Sequence, residues 1–243
     1  MITFDEQQRV FHLKNKEISY LFSIEEGNIL SHLYFGPAIR NYHGERRYPR
    51  VDRGFSGNLP GSMDRTYSKD DLLQEYSGNN TGDYRVPAII IKTENGSRLT
   101  DFRYKSYKIL PGKPKLAGLP ASYVKSDKEA ETLEVTLVDE TIGAQLILSY
   151  TIYNERPVIT RNARLVNTSN QELRIEKIAS MQLDLTKHDY DVISVPGQYA
   201  LERQPERQEL RRGITEFSSR RNSSSHHMNP FVALVDKNTD EFQ

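Results

Sequence analysis

Residues 131–167, ETLEVTLVDETIGAQLILSYTIYNERPVITRNARLVN, alternate apolar and polar side chains through three successive segments. An alternation with a period of two is typical of a β-strand, whose successive side chains point to opposite faces. Asn154 to Pro157 supply turn-forming residues between the second segment and the third. The stretch therefore predicts consecutive strands with one apolar face. The residues of that face in the first two segments are Leu133, Val135, Leu137, Leu146, Leu148, Tyr150 and Ile152.

The same pattern recurs on both sides of this stretch. EISYLFSI, LRIEKIASMQLDL and FVALVD also alternate, and Asn95-Gly96 predicts a hairpin between VPAIIIKTE and SRLTDFRYKSYKIL. One short helix is predicted in SKDDLLQEY, with Ser68 as its N-cap. Strands that follow one another without alternating helices predict an all-β fold, an antiparallel sandwich with few or no helices.

The composition limits the function classes. The 243 residues are 36% hydrophobic, enough for a sizeable core, and 33 basic side chains balance 33 acidic ones. A net charge of zero disfavours a nucleic-acid partner, and the lack of cysteine excludes disulfides and thiolate metal sites. No segment approaches the roughly 20 apolar residues that span a bilayer. With no signal-like apolar run at the N-terminus, we expect no membrane association and a cytoplasmic location.

Familiar catalytic patterns are missing from the sequence. His226 and His227, if they lie on a strand, point to opposite faces and cannot chelate one metal ion. The serines of RRNSSSHH lack a G-x-S-x-G elbow, and no glycine-rich turn opens a helix to hold phosphate. Carboxylates are abundant, but none has the context of a glycosidase pair. We therefore expect no complete active site and no metal.

Two segments concentrate fixed charge outside the predicted strands. RQPERQELRRGITEFSSRR, residues 203–221, mixes both signs, which favours an ion-paired and solvated loop. RRYPRVDRGFSGNLPGSMDRTYSKDDLLQEY, residues 46–76, sets arginines beside aspartates and aromatic rings. Long irregular segments in compact domains tend to be functional or disordered, and this one has too many aromatic side chains for disorder. Arginine forks suit carboxylates and sugar hydroxyls.

An ordered series of motifs carries a family resemblance along essentially the whole chain. YPRVDR, MDRTYSKDDLLQEY and GDYRVPA are followed by NGSRLTDFRYKSYKI, GKPKLAGLPASYV and EAETLEVTLVD. PVITRNARLVN, DYDVISVPGQYALER and SSRRNSSSHHMNPFVALV complete the series. It resembles the N-terminal β-supersandwich of bacterial α-galactosidases of glycoside hydrolase family 36.

The resemblance implies a function for the full-length protein. Such enzymes remove terminal α-1,6-linked galactose from melibiose, raffinose and stachyose by a retaining mechanism, without a cofactor. Their catalytic aspartates lie in a (β/α)8 barrel. Residues 1–243 are then one supersandwich domain that ends before its last strands and before that barrel. This piece alone is expected to be inactive.

The resemblance also implies roles for particular residues. Family members are typically tetramers in which this domain reaches the active site of a neighbouring subunit. By this likeness, Asp52 accepts hydrogen bonds from galactose hydroxyls, and Arg65 donates to them or holds Asp52. An ion pair within the loop is the alternative for these two. Tyr199 stands where relatives often carry Trp, with sugar contact or loop packing as its two interpretations. The further arginines, expected to make fold or interface contacts, are Arg46, Arg47, Arg50 and Arg53.

Other functions remain open on sequence alone. A stand-alone carbohydrate-binding sandwich without catalysis would show the same strand pattern, and a continuation of the reading frame into a barrel would separate the two. A sister enzyme with another α-glycoside specificity is also compatible, because the barrel sets most of the sugar choice. A nucleic-acid module would bind with a steep salt dependence.

Overall fold

The structure is a computed structural model, and it describes residues 1–44, 50–52, 54, 57–59, 61–79, 82–118, 121–186, 189–221 and 226–238. The chain divides into two compact units, Met1–Asp184 and Leu185–Gln243. The strands of the first unit are β1 (Ile2–Asp5), β2 (Val10–Lys14), β3 (Ile18–Glu25), β4 (Ile29–Pro37), β5 (Ile89–Thr93), β6 (Arg103–Pro111), β7 (Ala130–Asp139), β8 (Ala144–Tyr153), β9 (Ile159–Asn167) and β10 (Leu173–Ile178). Those of the second unit are β11 (Tyr190–Pro196), β12 (Glu206–Glu209) and β13 (Met228–Asp236).

Two four-stranded antiparallel meanders face each other in the first unit, in the orders β1-β2-β3-β4 and β6-β7-β8-β9. The sequence alternation of β7 and β8 is confirmed, since all seven predicted inward residues are buried. Their core also contains Phe11 and Phe22 from the other sheet. Phe22 stacks on Tyr150 with ring centroids 4.9 Å apart. The all-β sandwich predicted from sequence is therefore confirmed in this unit.

β3 differs from the simple alternation in one respect. Its core-facing Tyr20, Phe22 and Ile24 are buried as expected, but Ser19, Leu21 and Ser23 on the opposite face are buried too. Leu21 packs with Val10 and Leu33 in a second small cluster, against which Ile39 and other side chains lie. The chain that follows β4 therefore covers the outer face of this sheet.

The predicted hairpin at Asn95-Gly96 is half right. Gly96 has a φ of +87° and its N–H donates to the carbonyl of Thr93, so the turn exists. The strands on either side do not pair with each other, however, because β5 pairs with β10 while β6 joins the β7 sheet. Turn chemistry determined the bend, and packing on the core determined the strand partners.

Helical structure in the described residues is limited to 3-10 turns, and one falls where a helix was predicted. Lys69–Asp71 forms a single turn, and Ser68 accepts a hydrogen bond from the Asp70 N–H at 3.2 Å. The predicted N-cap is thus confirmed. The LLQEY portion is not helical, because it runs extended beside β4 through a bridge between Ser31 and Gln74. No helix in the described ranges has the length and hydrophobicity needed to cross a membrane.

The second unit has one three-stranded antiparallel sheet in the order β12-β11-β13. β12 lies within the charged stretch 203–221 and is exposed throughout. Arg207 pairs with Asp191 on the neighbouring strand at 2.7 Å, as expected for a solvated, ion-paired segment. The segment is therefore partly a strand rather than wholly a loop.

Candidate functional site

Asp52 and Arg65 meet on the irregular segment between β4 and β5. Arg65 Nε lies 3.1 Å from Asp52 Oδ1, and the two side chains are 57% and 60% exposed for arginine and aspartate respectively. The sequence analysis named these two residues together, and the structure brings them together. The alternative interpretation of these two residues was an ion pair within the loop, and that ion pair exists. A contact of either residue with substrate stays a prediction. Arg46, Arg47 and Arg53 lie outside the described residues.

A small apolar cluster supports the inner side of this segment. Leu59, Tyr67 and Leu72 from the segment are buried with Ile29 at the start of β4. The Tyr67 hydroxyl donates to the carbonyl of Glu26 at 3.0 Å. The segment therefore has its own core, which holds Leu59, Tyr67 and Leu72 together.

Arg50 makes fold contacts, as predicted for it. Its guanidinium donates to Glu26 at 3.0 Å and to Asp64 at 2.9 Å. It also lies over the Tyr67 ring at 4.6 Å from the ring centroid. Bonds from Thr66 and the Arg50 charge hold the pKa of the exposed Asp64 carboxyl below its ordinary range, so Asp64 stays charged.

The segment is fastened to the sandwich at its far end by a polar cluster. Asp83 is buried and accepts from Gln74 Nε2 at 2.5 Å and from Arg85 Nε at 2.7 Å. Arg85 also binds Asp184, and the Gln74 N–H donates to that same carboxylate at 2.8 Å. Gln74 and Arg85 are thus bound to Asp184, the last residue of the first unit, by charge-assisted hydrogen bonds.

Glu75 is the buried charge that sequence analysis missed. It is fully buried, and its carboxylate accepts from the hydroxyls of Tyr20 and Tyr150 at 2.8 and 2.9 Å. His32 Nδ1 lies 2.8 Å away and Arg161 Nη2 lies 3.1 Å away. An ionised carboxylate only accepts, so His32 carries its proton on Nδ1. Every neighbour of the carboxylate is a donor.

Burial and charge act in opposite directions on this group. Burial would raise the pKa of Glu75, but the Arg161 charge and the His32 hydrogen bond outweigh it and hold the pKa below its ordinary value. Burial first, and then the Glu75 charge, raises the pKa of Tyr20 well above the ordinary range. The tyrosine hydroxyls therefore remain protonated donors. The central residues of the network are bonded to one another and are closed to solvent.

Tyr199 stands at the tip of a tight turn in the second unit. Gln198 and Leu201 exchange backbone hydrogen bonds of 3.1 and 2.9 Å, and Ala200 between them has a φ of +63°. A positive φ at this turn position normally calls for glycine, so the backbone is strained there. The Tyr199 ring is 83% exposed and meets only the edge of His226, at 6.4 Å between centroids, among the described ring contacts. Loop packing therefore accounts for little of its surface.

His226 and His227 do not lie on a strand. They form a turn just before β13, with ring centroids 4.4 Å apart, so the premise of opposite strand faces is wrong. His226 also lines a surface cavity of about 590 Å³ together with Glu202, Arg203 and Asn229. Within the described residues, no group of three or more metal-ligating side chains could hold a metal ion.

The family follows from the sequence along almost the whole chain. Residues 28–243 match the Glycosyl hydrolase family 36 N-terminal domain. The chain belongs to glycoside hydrolase family 36, as the motif series indicated.

The relatives that the chain resembles are named as α-galactosidases. The chain is 51% identical over 242 residues to Alpha-galactosidase 1 of Pediococcus pentosaceus, which covers 100% of this chain and 33% of that protein. It is similar to the crystal structure of GH36 alpha-galactosidase AgaB from Geobacillus stearothermophilus, with a TM-score of 0.94 and 44% identity over 100% of this chain and 33% of that one. A crystal structure of a variant of AgaA from the same organism, in complex with raffinose, matches 96% of this chain and 32% of its own, with a TM-score of 0.92 and 46% identity. The chain spans about a third of the length of these relatives.

Proposed function

We propose that this chain is the N-terminal part of a retaining α-galactosidase that hydrolyses terminal α-1,6-linked galactose from raffinose-type oligosaccharides. The related AgaA structure in complex with raffinose supports this substrate class. In a retaining glycosidase, one carboxylate attacks the sugar and another protonates the leaving oxygen and then activates water. We assign both carboxylates to the remainder of the full-length protein. The reaction needs no cofactor.

The Asp52–Arg65 pair is the observation that carries a role for this domain. An ion pair with both partners more than half exposed adds little to stability. The segment that bears it is nevertheless fixed by a small core and by buried hydrogen bonds. A rigid scaffold presenting polar side chains on an irregular segment is the usual arrangement of a binding site. Asp52 Oδ2 and the terminal guanidinium nitrogens of Arg65 are candidates for bonds to sugar hydroxyls.

Tyr199 is proposed as an aromatic surface for the same class of ligand. Its ring is exposed, and its one described ring contact is His226, which lines a polar cavity. A tyrosine ring can pack on the apolar face of a pyranose while its hydroxyl bonds to water or to a neighbouring sugar.

We further propose that the full-length protein is a cytoplasmic tetramer in which Asp52 and Arg65 complete the sugar pocket of a neighbouring subunit. The chain has no cysteine and needs no oxidising compartment to fold. The exposure of both side chains leaves them accessible to a neighbouring subunit.

Kinetics of the full-length protein with raffinose test the proposal. Asp52→Asn is expected to raise KM about tenfold, since asparagine keeps a neutral hydrogen bond and loses only the charge-assisted excess of roughly 1.4 kcal/mol. Arg65→Gln should act in the same direction. Glu155→Gln, which removes an equally exposed partner of Lys16, is the matched control and should leave KM unchanged. Unchanged kinetics for both loop variants would remove them from the pocket. The 243-residue chain alone should show no hydrolysis.

Mixed oligomers test the shared pocket. Subunits carrying Asp52→Asn are mixed with subunits whose barrel nucleophile is removed, and the tetramers are allowed to exchange. If Asp52 serves a neighbour, some intact barrels then receive a normal Asp52, and part of the population regains the wild-type KM. If Asp52 serves its own barrel, mixing gives no such population, and the intersubunit proposal is wrong.

A further inference from the structure

The two charged residues of the proposed pocket belong to separate limbs of one loop. Asp52 lies on the first limb and Arg65 on the second, and the described part of the loop between them is irregular. An ion pair at 3.1 Å with both partners exposed is too weak to bring the limbs together. Something else must set their spacing.

Arg50 connects both limbs to the sandwich. It lies two residues before Asp52, and it donates at 2.9 Å to Asp64, the residue just before Arg65. Its other terminal nitrogen donates at 3.0 Å to Glu26, in the turn that follows β3. One guanidinium thus bonds to the second limb and to the edge of the sheet while its own backbone forms the first limb.

The partners of Arg50 are themselves fixed. Asp64 accepts from the Thr66 N–H at 2.8 Å and from its hydroxyl at 2.6 Å, which holds the backbone on both sides of Arg65. Tyr67, over whose ring the guanidinium lies, is only 2% exposed and bonds to the carbonyl of Glu26. The guanidinium is therefore held from three sides, and its fork geometry is suited to two carboxylates at once.

We propose that Arg50 is a positioning residue for sugar binding, which sets the separation and orientation of Asp52 and Arg65 without touching the ligand. This role rests on the proposed function, since it assumes that Asp52 contacts sugar. Small displacements of binding groups cause large losses in their contribution, so the loop needs a device that fixes its limbs.

The test is a double-mutant cycle in the full-length protein with raffinose. Arg50→Gln is expected to raise KM about tenfold, in the same range as Asp52→Asn, with little change in kcat. The KM increase of the double variant should be smaller than the product of the two single increases, because Arg50 acts in part through Asp52. Arg50→Lys keeps the charge but has a single nitrogen, so its KM should lie between those of wild type and Arg50→Gln. Arg98→Gln is the matched control, since it removes an exposed two-bond pair with Glu176, and KM should not change.

The possible outcomes separate the two proposals. A merely structural role would lower the folded fraction and so the apparent kcat, and would leave KM unaltered. A wild-type KM in Arg50→Gln would therefore overturn the positioning role. So would a wild-type KM in Arg50→Lys, or a double variant whose increase in KM equals the product of the single increases. Each of these outcomes leaves the role of Asp52 intact. A normal KM in Asp52→Asn would overturn the proposed sugar contact of Asp52, and the positioning role with it, while leaving the proposed α-galactosidase activity intact.

Discussion

The Glu75–Arg161 pair and the Asp52–Arg65 pair are the same chemistry in two opposite environments. Glu75 is fully buried and Arg161 nearly so, and tyrosines and a histidine surround their carboxylate with donors. Asp52 and Arg65 share one contact and face solvent over more than half of their side chains. Distance alone does not distinguish the pairs, since both are 3.1 Å.

Solvent decides what each pair does. A buried ion pair loses its hydration on folding and is tolerated only when every remaining lone pair and proton is satisfied, so its groups have nothing left for a ligand. An exposed pair keeps its water, adds little to stability and can exchange that water for hydroxyls. The comparison teaches that charge density alone does not identify a binding site. Unused hydrogen-bonding capacity on a fixed backbone identifies it better.

Removal of Glu75 should have the largest effect of the changes considered. Glu75→Ala leaves Arg161 as a buried charge without its counter-ion, and this is expected to lower the free energy of unfolding of the first unit by roughly 3–5 kcal/mol. Hydrogen exchange of the β8 amides in the full-length protein measures it. The control is Glu155→Gln, which removes an exposed charge and should not change exchange. Equal exchange rates in Glu75→Ala and wild type would contradict the claim that the buried pair, unlike the exposed one, matters for stability.

The second largest expected effect is that of acid, which should reduce the stability contributed by the charge on Glu75. The pKa of Glu75 lies below its ordinary value of 4.5 in the folded protein, so the unfolded chain binds the proton more readily. The stabilisation is fully present above that ordinary value and is lost as pH falls through the folded pKa. Calorimetry of wild type and Glu75→Gln from neutral pH downward should therefore show a Tm difference that narrows on the acid side. A difference that stays constant would contradict a charged Glu75.

Tyr199 should have the smallest effect on stability and a selective effect on binding. Tyr199→Ala removes a ring that is 83% exposed, so the Tm should stay within error of wild type. The KM for raffinose in the full-length protein should rise about fivefold, from loss of one stacking surface. Tyr199→Phe keeps the ring and should retain the wild-type KM. If Ala and Phe variants both behave as wild type, the ring has no part in sugar binding.

The fold was largely predictable because the alternation of apolar and polar residues that indicates a β-strand is visible in the local sequence. β8 carries its inward residues at every second position, and all of them are buried. The partner of β5 was not predictable from the Asn95-Gly96 turn, because that turn fixes only the bend, whereas the partner strand β10 lies far along the chain. A turn is determined by the residues that form it, so the local sequence predicts it. The partner of a strand depends on residues far away in the sequence, so the local sequence does not predict it.

The buried network left one signal that sequence reasoning passed over. Arg161 falls within the alternating segment VITRNARLVN and lies directly opposite Tyr150 in the register of β8 and β9. A charged residue on an inward-facing position is rarely buried without a partner, and LLQEY offers Glu75 close to Leu72 and Leu73. LLQEY was instead predicted as part of a helix. The Asp52–Arg65 association could not come from periodicity, since irregular backbone has none, and it rested on the family resemblance.

The contact between Gln74 and Asp184 also has a consequence for folding during synthesis. These residues are 110 positions apart, and a ribosome adds about 5–20 residues per second, so the loop emerges about 5–20 s before its anchor exists. During that interval Asp83 and Arg85 have each other but not the carboxylate that ties them down. The loop therefore becomes fully ordered only when Asp184, synthesised later, reaches it. A pause in translation before Asp184 would lengthen the time during which the loop lacks this anchor.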